Sequence, residues 1–208
     1  MNKFLKLLNI RPDKNQRLIL ISLFTSGLLY TYTSPTIAKE LFSKLPAQWI
    51  AFQALASSLT GLLVGMTWRG KLRHLAVKYF AILAITECTC GLCVGLYLAF
   101  VKYDVWILAI SSLIYTNLIA TFVGKCIMTF KSILWPETER EIYDNNTAVT
   151  TGIVCTIGYA TALIAMPTLK TALTIWATCC VLDDAGWIAV FIKNRKLLTS
   201  QMSKTLND

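Results

Sequence analysis

The chain has 208 residues, 55% of them hydrophobic and 15% charged, with a formal net charge of +9. Globular domains carry about 25% charged residues, so the deficit excludes an ordinary soluble domain and selects an all-α polytopic membrane protein. The basic excess does not indicate a nucleic-acid partner, because the charges gather at the ends of apolar segments and no basic stripe is interleaved with aromatics.

A spanning helix needs roughly 20 mostly apolar residues, and six stretches meet that length. After a basic N-terminus (1–16), the first is expected at 17–36, beginning LILISLFTSGLLY. The second is expected at 46–67, the third at 76–101, the fourth at 104–130, the fifth at 147–166 and the sixth at 170–192. A basic tail (193–208) follows the six-helix domain of 17–192. A rival reading ends a signal peptide at Thr36-Ile37-Ala38 and leaves five helices. The long basic region and the extended apolar stretch favour the uncleaved form.

Basic residues orient the stack. Lys3, Lys6, Arg11, Lys14 and Arg17 precede the first segment, and Arg69, Lys71, Arg73 and Lys78 lie between the second and third. Lys131 and Arg140 separate the fourth and fifth, and Lys193, Arg195, Lys196 and Lys204 follow the sixth. Only Lys39, Lys44, Lys102 and Lys170 lie on the other side. Lysine and arginine favour the cytoplasmic face, so both termini are expected there, with the protein multi-pass in a plasma (inner) membrane. The longest internal loop, 131–147, carries Pro136 followed by Glu137, Glu139 and Glu141. Proline and acids suit a first helical turn, so a short helix at the membrane surface is expected. Trp135 and Tyr143 would then sit at headgroup level, and Asn145-Asn146-Thr147, formally a glycosylation sequon, would cap the fifth helix.

Charges inside the segments are the best lead on function. A carboxylate at the centre of a bilayer costs about 3 kcal/mol or more, yet Glu87 lies mid-way along the third segment, and Asp183 and Asp184 mid-way along the sixth. Glu87 and Asp183 are both roughly 13–15 Å from the cytoplasmic boundary at 1.5 Å per residue, so they are able to meet. Two readings stand: a proton or cation site, or a hydrogen-bonded structural cluster. Asp183 and Asp184 point about 100° apart on a helix, so they do not serve one site equally. Lys125 either pairs with Glu87 or snorkels to the interface, and Asn117 is a polar candidate for a cavity wall.

All seven cysteines fall within apolar segments, where cysteine acts as a small apolar residue. Cys90, Cys179 and Cys180 lie one turn from the acids. Thiolates prefer soft metals, but small-residue packing explains these positions more simply, and no metal or other cofactor is expected. The single histidine, His74, sits in a basic loop, and no nucleophile, P-loop or dinucleotide motif is present. An enzyme is not expected. Small residues recur one turn apart as Ser57, Gly61 and Gly65, as Gly91 and Gly95, and as Gly152, Thr156 and Ala160. Such faces let helices approach closely.

The short basic loop Gly65-Met66-Thr67-Trp68-Arg69-Gly70-Lys71-Leu72-Arg73 and the charged stretch Pro136-Glu137-Thr138-Glu139-Arg140-Glu141 carry a resemblance. With the six-segment pattern, they resemble one six-helix half of a major facilitator superfamily transporter. Arg69 occupies the position of that family's signature aspartate. The resemblance implies a half-size permease acting as a homodimer or with a partner, and ion pairs between Arg69 or Arg73 and Glu139 or Glu141. The alternative class is a non-transporting membrane protein, an immunity, exclusion, assembly or regulatory factor, that binds another membrane protein.

Overall fold

The computed structural model describes residues 13–68 and 70–204. Among these residues the chain is all-helical, without a strand, and five helices are long and apolar enough to cross a membrane. The basic residues Lys3, Lys6 and Arg11 and the linker residue Arg69 lie outside the described residues.

Helix α1 (Lys14–Lys44) has 31 residues, about 46 Å at 1.5 Å per residue, and runs well past the expected limit at 36. Asp13 caps it, accepting from the Gln16 N–H at 2.6 Å. Pro35 lies inside it and removes the donor that would reach the Thr31 carbonyl. The Ser34 hydroxyl donates to that carbonyl at 3.4 Å, so the helix continues through the proline.

Helix α2 (Gln48–Thr67) packs loosely, with only Val64 buried. The third apolar segment is divided: α3 (Gly70–Lys78) stops at Tyr79, and α4 (Phe80–Phe100) resumes the path. The fourth segment is interrupted too. Here α5 (Val105–Leu113) passes through a π-helical stretch (Ile114–Ile119) into α6 (Ala120–Leu134). Neither α-helical piece reaches the length of a span by itself, and the three pieces together follow the expected fourth helix.

Helix α7 (Glu137–Ile164) corrects the expectation of a separate surface helix. Pro136 and the acids Glu137 and Glu139 do begin a helix, but it runs unbroken into the apolar stretch. Asn146 is therefore no cap and lies mid-helix, 1% exposed. Trp135 and Tyr143 are buried rather than at a surface, stacked on each other at 4.9 Å, with Trp187 at 6.1 Å from both. The Trp135 Nε1–H donates to Asp13 at 3.0 Å and ties the start of α1 to the α6–α7 corner. Burying two aromatic rings stabilises by several kcal/mol, more than mid-helix asparagine costs, so tertiary packing overrides the local cap signal.

The sixth segment bends at its centre. Helix α8 (Leu169–Asp183) ends at Asp184, and α9 (Ala185–Lys204) continues beyond it. Helix α1 is central, packing on α7 and α8 along its length and on α9 near its start, while α4 lies antiparallel to α8. Phe80, Phe130 and Phe191 meet with ring centres 4.8–5.4 Å apart and close the bundle at the α3 end.

Candidate functional site

The meeting of α4 with α8 follows from small residues. A methyl group added at Gly95 would lie 2.6 Å from the Ala177 Cβ, and one at Gly91 would lie 2.7 Å from the Cys180 Sγ. Only glycine permits so close an approach. The next step of this antiparallel register, one turn back along α4 and one turn forward along α8, brings Glu87 to Asp184. Both are buried, 4% and 6% exposed, and their carboxyl groups lie close enough to interact electrostatically. Two carboxylates offer no donor and repel each other, so a contact between them needs a proton on one of the two. The Glu87 Oε2 and Asp184 Oδ2 atoms are buried without a hydrogen-bond partner.

Sequence reasoning paired Glu87 with Asp183. Adjacent positions point about 100° apart: Asp184 meets Glu87, and Asp183 lines a cavity of about 570 Å³ between α1, α5, α7 and α8. The Ser26 hydroxyl donates to the Asp183 Oδ1 at 3.1 Å. Tyr30, Tyr115, Tyr159 and Trp176 also line this cavity, which reaches toward the far end of α1 at Ala38 and Leu41. A second cavity of about 500 Å³ lies between α3, α4 and α6, toward the α1 N-terminal end, and Glu87 lines it with Tyr79, Phe122 and Cys126. Asp183 thus lines one cavity and Glu87 the other, with Asp184 between them in the chain's packing.

The bend is pinned by Ser22 of α1. Its hydroxyl bonds the Leu182 carbonyl, lies 3.2 Å from the Asp183 carbonyl, and accepts from the Gly186 N–H at 3.1 Å. These are backbone groups at the break between the two helices, where the regular ladder is interrupted. Gly186 admits the contact, since a Cβ there would lie 2.8 Å from the Ile19 Cα and the Leu18 carbonyl oxygen. Ser22, Ser26, Gly186 and the aromatic wall were missed by sequence reasoning. A glycine three residues after Glu87's partner region, inside an apolar run, was the available signal.

The other candidates separate. Lys125 is half-buried and belongs to neither of the ion pairs found among the described residues, Lys44–Glu40 and Lys131–Asp144. The backbone of Asn117 lies in the π stretch, and its side chain is outside the described residues. Cys90 lines the second cavity, whereas Cys179 and Cys180 line the first. Among the described residues no cluster of three potential metal ligands occurs, and the cysteines are free thiols. Glu139 and Glu141 are exposed and Arg73 forms no ion pair. Asp144 instead joins this loop to α6, 2.7 Å from the Lys131 Nζ, which also lies over the Tyr143 ring. Comparison with protein-family models, with curated proteins and with solved structures finds no match for the chain.

Proposed function

We propose that this chain is a six-span, transporter-like protein of the plasma (inner) membrane, with cytoplasmic termini, that moves a cation against protons through an acidic site at mid-depth. The observation carrying this reading is that buried carboxyl groups line two separate cavities, Asp183 the one and Glu87 the other, with Asp184 packed against Glu87. In this topology Val105–Leu134 is the remaining span, the Asp183 cavity faces outward and the Glu87 cavity faces the cytoplasm. Irregular backbone at membrane depth is tolerated where it lines a cavity, and broken helices are a recurring way of building ion sites in transporters. Both the α8–α9 bend and the π stretch border the Asp183 cavity.

Asp183 receives the cation, with the negative end of the α8 dipole behind it. Glu87 and Asp184 hold a proton that passes to the inner cavity when the helices shift about the Ser22 hinge. Two copies acting together match the half-size length. The outer face of α2 offers a contact, since a Cβ at Gly61 or Gly65 would meet nothing within 4 Å. The same face favours a second reading, in which the chain docks on a different membrane protein and its acids only hold the bundle together.

Proteoliposomes with a trapped pH dye separate the two readings. With a gradient of an organic monocation such as tetraethylammonium imposed across the membrane, wild-type protein is expected to carry opposing proton flux, and Asp183→Asn and Glu87→Gln are each expected to lower it more than about 10-fold at unchanged reconstitution, since neither amide carries a proton to exchange. Flux equal in all three proteins, or absent in all, removes the transporter reading. Topology is tested by a Thr138→Cys variant in a background without native thiols. Thr138 is exposed, and labelling by an impermeant reagent is expected only after the membrane is opened. Labelling of intact cells from outside overturns the orientation.

A further inference from the structure

We infer that the ligand of the Asp183 cavity is an organic monocation, an amine or onium ion with apolar substituents, held by the carboxylate and a wall of aromatic rings. The inference rests on the transport reading for its purpose but on the cavity alone for its chemistry.

Charge is the first argument. Among the described residues lining the cavity, Asp183 is the only carboxylate and no lysine or arginine is present. One negative charge in a cavity without a counter-charge selects a single positive charge and rejects anions.

Size is the second argument. At about 570 Å³ the cavity falls within the roughly 300–1,000 Å³ range of small-molecule sites. A bare hard cation would find Asp183 as the one carboxylate, with neutral hydroxyls such as Ser26 for the rest, whereas protein sites for such ions usually bring several carboxylates and carbonyls together.

The wall is the third argument. Tyr30 and Tyr115 lie within electrostatic reach of Asp183, and Tyr115 meets Trp176 edge to face at 6.1 Å. Tyr159 lines the same space from α7. Aromatic faces attract cations, and onium ions with apolar groups take such cages because their charge is weakly hydrated. Strongly hydrated small ions lose more water than four rings return.

The probe pair is tetraphenylphosphonium and tetraphenylborate, which share a shape and differ in sign. Purified protein in detergent is titrated with each by calorimetry, so that partition into micelles is common to both. Saturable binding of the phosphonium and not of the borate is expected. Asp183→Asn is expected to weaken the phosphonium about 30-fold or more. Tyr159→Leu, at a partly exposed position whose replacement spares the core, is expected to weaken it about 2- to 30-fold. Equal binding of both ions, or an Asp183→Asn variant that binds like wild type, overturns the inference. Proton flux that depends on Asp183, without saturable phosphonium binding, overturns it while the transport reading stands. Phosphonium binding without flux supports the cavity's chemistry and removes transport.

Discussion

Replacing Glu87 by alanine is expected to destabilise the folded bundle by about 1–3 kcal/mol, whereas Glu87→Gln leaves stability close to wild type. The reason is the carboxyl pair. Asp184 is 6% exposed, packs against Glu87, and its Oδ2 atom has no hydrogen-bond partner. Alanine removes the group packed against that acid and leaves a buried carboxyl without its neighbour. The amide of glutamine keeps a donor of similar reach, so Asp184 keeps its neighbour, but it cannot release a proton. The double variant Glu87→Ala with Asp184→Ala removes both groups and is expected to cost less than the two single alanine variants added together, because residues in contact are coupled. Thermal unfolding in detergent, followed by the size-exclusion peak of the monodisperse protein, measures all four variants. An alanine variant as stable as wild type would show that the pair does not hold α4 to α8. A glutamine variant that unfolds like alanine would make the pair structural in its charge and not only in its packing.

The second large effect is expected at Gly186. A Cβ at this position would lie 2.8 Å from both the Ile19 Cα and the Leu18 carbonyl oxygen. These are backbone atoms, so no side-chain rotation relieves the contact. Overpacking a core costs about 1–3 kcal/mol even where side chains can shift, and Gly186→Val is expected to exceed that range. The displaced α1 also draws Ser22 away from the Leu182 and Asp183 carbonyls and from the Gly186 N–H, so the bend loses its pin. Gly61→Val is the matched control: the same added bulk meets nothing within 4 Å, and unfolding temperature is expected to stay unchanged. A Gly186→Val protein with the wild-type unfolding temperature would mean that α1 and α9 do not approach this closely. A destabilised Gly61→Val protein would instead reveal a contact made by α2 with another chain.

Composition and segment lengths determined the helical class and the stretches able to cross a membrane, because apolar length is a local property that the bilayer selects directly. The positions of three carboxyl groups inside such stretches were equally legible, as were the glycines at 91 and 95 that later proved to set the α4–α8 register. Tertiary structure decided which acid meets which. On an ideal helix Asp183 and Asp184 differ by about 100°, and a bend pinned from α1 by Ser22 fixes the direction each one takes. Nothing in the sixth segment itself encodes a serine 164 positions before Gly186 as its partner. The start of α7 shows the same division: Pro136 and its acids signalled a helix, but whether it would stop at Asn146 or run on was decided by Trp135, Tyr143 and Trp187 packing together. Local sequence fixes where a helix is able to form, and long-range packing decides where it bends, where it ends and which side chains it turns toward one cavity or the other.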